Sequence, residues 1–288
     1  MPVDPATRQQ AILLYDRFTH DGMERRAFMA EMVKIAGSVA AAELLVAGIA
    51  ASPAAAAQVS ARDARLATRT QALVGGYKAY VAEPRTRSLK ATVLVIHENR
   101  GLNDHIRDVT RRVALAGYRA VAPDMLSLNG GTPSNEDKAR EMIGKLDLGK
   151  SVGDAVGMVD ELAKSSRGGK VGAVGFCWGG GFVNRLAVAA GDKLAAAVPY
   201  YGPAPDPSEA PKVQAAMEIH DAGLDDRVNA TSFPWVEALR AHGKTVKFFL
   251  YDGANHAFNN DTSAERYDKA AADLAWNRTL AFFKKHLG

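Results

Sequence analysis

The sequence predicts an α/β fold, with a mostly parallel sheet that carries helices on both faces. Three observations support this prediction. From about residue 70 onward, strand and helix patterns alternate along the chain. Some strand patterns, such as residues 91–97, are near-continuous apolar runs, as expected of parallel strands buried on both faces. A glycine-rich turn around Cys177 joins a predicted strand directly to a predicted helix.

Residues 1–57 differ in character from the rest of the chain. Residues 8–19 carry apolar side chains at helical spacing and predict a short amphipathic helix. Arg25 and Arg26 then precede a stretch rich in Ala, Gly and Val that ends in small residues near position 57, an arrangement that resembles a twin-arginine export signal. Lys34 and Glu43 interrupt the apolar stretch and argue against a stable membrane anchor.

Two interpretations of residues 1–57 remain open. As an export signal, the segment would be removed and the protein would be periplasmic. As a retained helical arm in a cytoplasmic protein, it would pack on the main domain, residues 58–288, or join two subunits into a homodimer.

The predicted elements of the main domain follow in order. An alternating edge strand covers residues 77–82 and ends at Pro84, and a helix over residues 103–116 is closed by Gly117. The strand over residues 119–122 stops at Pro123. The remaining predictions are helices over 136–146, 152–163 and 182–189, strands over 170–176, 195–200, 213–219 and 246–251, and a final helix over 264–286.

The glycine-rich turn has the G-x-C-x-G pattern of a nucleophile elbow, with Cys177 where serine is usual. The nucleophile of such a turn is strained, and a side chain two residues to either side would collide with the turn. Cys177 is the only cysteine, so an internal disulfide is excluded. We interpret it as a catalytic nucleophile acting through its thiolate; the alternative is an inert buried cysteine.

Polar side chains follow other predicted strands, and ligands of such sheets bind beyond the carboxyl ends of the strands. Asp225 and His256 come after the strands ending at residues 219 and 251, so nucleophile, acid and base follow the α/β-hydrolase order. His256 would take the thiol proton, and a carboxylate behind it would fix its tautomer. We favour Asp225 over Asp226 and Asp221 as that carboxylate because it lies two residues after a glycine, and the choice remains open.

Two backbone amides are predicted to stabilise the oxyanion of the reaction. One is the N–H of Trp178, directly after the nucleophile, and the other comes from the loop after the strand at residue 96, at Asn99. Backbone donors suit this role because they are already fixed when the charge develops.

Four motifs together resemble the dienelactone hydrolase (carboxymethylenebutenolidase) family over residues 75–287. They are HENRG at 97–101, GFCWGG at 175–180, YYG at 200–202 and GANHAF at 253–258. The resemblance implies a Cys177–Asp225–His256 triad on an α/β-hydrolase fold without a large cap domain and without a cofactor. It also implies that Glu98 contacts the resting thiol and helps to generate the thiolate.

The resemblance also gives candidates for substrate binding. Family members of the well-studied bacterial type hold a substrate carboxylate with arginines, one of which would fall near Arg140. The other would lie four residues after the catalytic histidine, where this chain has Asn260. Arg100 is a possible substitute for the missing charge, and Tyr201 is a further candidate contact.

The sequence thus predicts a cysteine-dependent hydrolase of small lactones or esters that works through an acyl-enzyme. A general ester or thioester hydrolase is the alternative, favoured by Asn260. A third interpretation is a non-catalytic, redox-sensing thiol on the same fold.

Other classes of function find little support in the sequence. His97, His220 and His256 follow strands, but no H-x-H or H-E-x-x-H spacing accompanies them, so we predict no metal site. The net charge of +4 is scattered, without a basic run, which argues against nucleic acid as a partner. The predicted partner is a small molecule.

Overall fold

A computed structural model describes residues 3–50, 58–85, 89, 91–166 and 168–288. Within these residues one eight-stranded sheet has the order β1-β2-β4-β3-β5-β6-β7-β8. Strands β3 to β8 pair in parallel, whereas β1 and β2 are antiparallel to their neighbours. The strands are β1 Leu66–Ala72, β2 Lys78–Pro84, β3 Thr92–Ile96, β4 Arg119–Asp124, β5 Val171–Phe176, β6 Ala196–Tyr200, β7 Ala216–Ala222 and β8 Val246–Tyr251.

Helices cover both faces of this sheet, as the sequence predicts. The helices are α1 Pro5–His20, α2 Arg25–Ala36, α3 Val39–Ile49, α4 Asp104–Leu115, α5 Glu136–Gly144, α6 Leu148–Ser165, α7 Trp178–Ala189, α8 Asp226–Ala241 and α9 Lys269–Leu287. Alternate residues of β3 enter two separate apolar clusters: Val93 and Val95 pack with α4 and α9, and Leu94 and Ile96 pack with α6, α7 and α8. The fold is therefore that of an α/β-hydrolase.

Some sequence predictions of single elements are wrong. Strand β2 is not an edge strand, because β1 pairs with its outer side. The sequence LATRTQA of β1 is mostly polar and partly exposed, so no apolar alternation indicates a strand there. Helix α8 was also missed, and it contains Pro234. The last helix begins at Lys269 rather than at residue 264.

The three N-terminal helices have an apolar cluster of their own. Tyr15, Phe18 and Phe28 pack in this cluster, which shares no member with the two clusters of the main domain. Arg25 and Arg26 open α2, and the small residues at 51–57 predicted as a cleavage site lie outside the described residues. No single described helix is long and apolar enough to cross a membrane, although α2 and α3 together meet this test across a 106° bend.

No cap domain interrupts the described part of the sheet, in agreement with the sequence prediction. Instead, α1 lies over the carboxyl end of the strands and contacts the loops there. Gln9 donates a hydrogen bond to Asn255 (Nε2 to Oδ1, 2.8 Å), and Arg140 donates one to the carbonyl of Phe18 (2.8 Å). The N-terminal helices thus cover the edge at which the sequence places its candidate site.

Candidate active site

The nucleophile elbow has the geometry that its glycines predict. Cys177 follows β5 and precedes α7 with φ 54° and ψ −115°, a conformation that L-residues rarely adopt. A Cβ at Gly175 would lie 2.1 Å from the carbonyl oxygen of Gly179, and one at Gly179 would lie 2.4 Å from that of Ile96. Only glycine fits at these two positions, so the close approach of β5, α7 and β3 requires the G-x-C-x-G pattern.

His256 and Asp225 form a buried pair beside the elbow. Nδ1 of His256 lies 2.5 Å from Oδ2 of Asp225. The other carboxylate oxygen of Asp225, Oδ1, caps α8 by accepting a hydrogen bond from the N–H of Val228. Burial opposes the charge on His256, but the Asp225 carboxylate and the Cys177 sulfur outweigh it and raise the pKa of His256 to about 10. This arrangement can store the thiol proton on His256 as an imidazolium.

The structure distinguishes the three aspartates that the sequence left open. Asp225 contacts His256, whereas Asp226 is exposed at the first position of α8. Asp221 is fully buried at the end of β7, where burial raises its pKa to about 7. Of the three, Asp225 alone makes a hydrogen bond to the candidate base.

Glu98 and Asn260 are bonded to each other. Nδ2 of Asn260 donates to Oε2 of Glu98 (2.8 Å), and both side chains are buried. Oε1 of Glu98 has no hydrogen-bond partner among the described residues. Asn260 thus binds the carboxylate that the family resemblance assigns to the thiol, and it does not line the pocket around Cys177.

The two predicted oxyanion donors flank the elbow. Trp178 is the first residue of α7, where a helix leaves its amide N–H groups without an intrahelical acceptor. Asn99 lies in the loop after β3 and lines the pocket, and its side chain donates to the carbonyl of Thr19 at 3.4 Å.

The candidate substrate-binding residues differ in whether they line the pocket around Cys177. Arg100 lines the pocket but is paired with Glu136 and with the hydroxyl of Tyr15. Arg140 lies outside the pocket lining, with its guanidinium 4.2 Å from the ring centroid of Phe18. Tyr201 is buried with φ 36° and packs edge-on against His256, with ring centroids 5.2 Å apart.

Four polar residues that line the pocket were missed by the sequence reasoning. Tyr15, Thr19 and His20 come from α1, and Arg266 follows β8. Nε2 of His20 lies 3.2 Å from Sγ of Cys177, and its ring packs edge-on against that of His256. No local pattern signals the three residues of α1, because their place in the site depends on how α1 packs on the main domain.

His20, Cys177 and His256 also form a group that by distance alone could hold a metal ion. Their ligand atoms lie within 4.8 Å of one another. Within the same group, His256 is bonded to Asp225, and Cys177 has the strained backbone conformation of the elbow.

Comparison with known proteins gives a consistent result. The model of the dienelactone hydrolase family matches residues 77–287, and the N-terminal helices lie outside this range. A Saccharolobus solfataricus protein named as a carboxymethylenebutenolidase is 31% identical over 245 residues, covering 72% of this chain and 93% of its own length. One from Escherichia coli K12 is 32% identical over 227 residues, covering 73% and 83%. A Klebsiella pneumoniae structure described as a dienelactone hydrolase has 26% identity and a TM-score of 0.68, covering 76% of this chain and 99% of its own.

Proposed function

The chain belongs to the dienelactone hydrolase family and is a hydrolase of ester bonds, and on this premise we propose that it cleaves small lactones or esters through Cys177. Cys177, His256 and Asp225 act as nucleophile, base and orienting acid. The observation that carries the proposal is the 2.5 Å contact between Asp225 and His256 beside a thiol at a strained elbow.

Acylation begins with proton transfer from the thiol to Nε2 of His256. The thiolate attacks the carbonyl carbon of the substrate, and the N–H groups of Trp178 and Asn99 stabilise the resulting oxyanion. The intermediate collapses, the C–O bond to the leaving group breaks, and the imidazolium of His256 gives its proton to the departing oxygen. For a lactone, this oxygen remains attached to the acyl chain.

Deacylation repeats these steps with water. Neutral His256 takes a proton from water, the oxygen of the water attacks the thioester carbon, and the C–S bond breaks to release the acid. Asp225 stabilises the imidazolium in both halves of the reaction. The raised pKa of His256 is consistent with a thiolate–imidazolium pair at neutral pH.

The pocket favours neutral substrates within this class. Both candidate arginines already have partners: Arg100 is paired with Glu136, and Arg140 donates a hydrogen bond to the carbonyl of Phe18. At the third candidate position, the neutral Asn260 stands where the family pattern has an arginine. A general ester hydrolase is therefore the second candidate. Equal KM values for neutral esters and for analogues with a free carboxylate are expected if it is correct, and a clear preference for the carboxylates would contradict it.

The first test is turnover of small lactones and p-nitrophenyl esters before and after alkylation of Cys177. Because this is the only cysteine, alkylation is specific to the site. We expect alkylation or Cys177→Ala to lower kcat/KM by about 10⁴-fold or more. Hydrolysis that survives complete alkylation would exclude the proposed nucleophile, and peroxide modification without any hydrolysis would favour a redox-sensing thiol.

A further inference from the structure

We propose that His20 is a functional residue of this active site: it accepts a hydrogen bond from the resting Cys177 thiol and keeps the nucleophile protonated until α1 is displaced. The proposal builds on the function proposed above, since it names a residue that controls the same nucleophile. His20 belongs to the N-terminal helices, outside the residues that match the family model.

The hydrogen bonds of His20 determine its tautomer. Nδ1 lies 2.8 Å from the carbonyl oxygen of Asp16, which can only accept, so Nδ1 carries the proton. The Thr19 hydroxyl, 3.0 Å from Nδ1, can direct its own proton to the carbonyl of Tyr15 or Asp16 and accept from Nδ1. A neutral ring with a proton on Nδ1 has a lone pair on Nε2, the atom that faces Cys177.

The surroundings of His20 keep its ring neutral. Burial is the main cause that lowers the pKa of His20 well below its usual value, and the nearby Arg227 guanidinium adds to this effect. The 3.2 Å contact between Nε2 and Sγ is therefore a hydrogen bond in which the thiol donates. A thiolate at this distance would face a lone pair instead of a proton.

His256 is oriented for the same proton but does not bind it while α1 is in place. Its Nε2 has no hydrogen-bond partner among the described residues and is buried. The charge on the Cys177 sulfur is one of the causes that raise the pKa of His256, so its imidazolium forms together with the thiolate. Removal of His20 from the thiol lets the S–H proton pass to Nε2 of His256, which forms the thiolate–imidazolium pair and leaves His20 unchanged.

The contacts of α1 with the main domain are mainly polar. The N-terminal helices form an apolar cluster of their own, and the rings of Tyr15 and Phe18 also contact arginines of the main domain. Arg8 pairs with Glu265 at 2.7 Å, and both are partly exposed. Asp16 contacts Arg266 at 3.4 Å, and this pair is largely buried. A substrate that enters between α1 and the loops after β3 and β8 competes for this space.

Other ionisable groups also surround the thiol, so the test must compare variants that leave them unchanged. Ionisable side chains from α1, from the loop after β3 and from the segment after β8 line the pocket around Cys177: Tyr15, His20, Glu98, Arg100, His256 and Arg266. Tyr201 and Asp225 contact the ring of His256. Substitution of His20 alone isolates its contribution.

The experiment measures the rate of Cys177 alkylation by iodoacetamide from about pH 6 to pH 10 in the full chain, a range that spans thiol ionisation. We expect His20→Ala to react about five-fold faster than wild type at neutral pH, because one hydrogen bond to the thiol form is lost. The ratio should fall to one at high pH, where the thiol is ionised in both proteins. His20→Gln, whose amide oxygen can accept the thiol proton, should lie between the two.

Leu13→Ala is the matched control, since Leu13 is exposed on the same helix and lies outside the pocket lining. It should react like wild type, and circular dichroism should show equal helix content in all four proteins. A rate ratio that is constant at all pH values would mean that His20 only covers the thiol sterically, and would overturn the proposal. Equal or slower alkylation of His20→Ala would also overturn it. Because alkylation needs no turnover, failure of the proposed hydrolase function would be recognised separately, by the absence of ester hydrolysis.

Discussion

The main domain and the N-terminal helices are built by different means. In the main domain, the sheet joins two apolar clusters, and the nucleophile is fixed by backbone contacts that tolerate no side chain at Gly175 or Gly179. The N-terminal helices have one small apolar cluster and contact the main domain mainly through polar groups. Cys177 is therefore held by a rigid framework, whereas the helices that cover it are held by polar contacts. Some of these are partly exposed, such as Arg8–Glu265, and others are buried, such as the bond from Arg266 to the carbonyl of Ile49.

This difference separates two properties of the enzyme. Substitutions at the proposed triad should change the chemical steps without changing access to the thiol. Substitutions in the N-terminal helices should change access to the thiol without affecting the stability of the sheet.

The largest effect is expected for the triad acid. Asp225→Asn should lower kcat/KM by about 10³- to 10⁴-fold, because an amide cannot stabilise the imidazolium and favours the wrong tautomer of His256. Asp226→Asn is the matched control, since Asp226 is the next residue and exposed. Its kcat/KM should stay within about three-fold of wild type. Similar losses in both variants would contradict the assignment of Asp225.

The second prediction compares the loss of stability when a buried phenylalanine is removed from each of the two cores. Phe182→Ala removes a buried side chain between the sheet and its helices and should lower the free energy of unfolding by about 3–5 kcal/mol. Phe28→Ala removes one from the N-terminal cluster and should leave the unfolding midpoint of the main domain unchanged while Cys177 alkylation becomes faster. Tryptophan fluorescence in urea reports this transition, because Trp178, Trp235 and Trp276 all lie in the main domain. An equal loss of stability in both variants would show that the two regions unfold as one unit.

The smallest effect concerns salt. An increase from about 0.1 to 1 M KCl shortens the Debye length from about 10 to 3 Å and weakens exposed ion pairs. Arg8–Glu265 and Arg25–Asp137 are such pairs between the N-terminal helices and the main domain. Alkylation of Cys177 should become about two-fold faster in high salt, after correction for the rate of a free thiol compound. A slower rate would indicate that apolar contacts hold the cover.

Local constraints explain which parts of the site the sequence could predict. The elbow can be predicted because its glycines meet a steric requirement that lies within five residues of sequence. The acid and the base can be predicted because the carboxyl ends of parallel strands lie at one edge of the sheet. The positions of His20 and Asn260 depend on packing between distant parts of the chain: His20 contacts a sulfur 157 residues away, and Asn260 binds Glu98 across 162 residues. No pattern in a single sequence records such contacts.

The same reasoning applies to the fold. Strand β3 and helix α4 were predicted close to their bounds because an apolar run marks the strand and the Asn103 cap marks the helix. Strand β7 begins and ends three residues later than predicted. Strand β1 was missed because its side chains are mostly polar, and its pairing with β2 supplies the hydrogen bonds that define it. An outer strand with one exposed face depends on its neighbour more than on its own sequence.

The two termini of the described chain lie at opposite ends of the parallel strands. Helix α1 covers the carboxyl ends of the strands, whereas Leu287 would be 2.7 Å from a Cβ added at Gly172, near the amino end of β5. The His286 carbonyl accepts a hydrogen bond from Lys170 at the same edge (2.9 Å). Attachment to a solid support or a fusion partner through the carboxyl terminus therefore leaves the catalytic edge facing the solution, while attachment at the amino terminus adds bulk to the helix that covers the thiol.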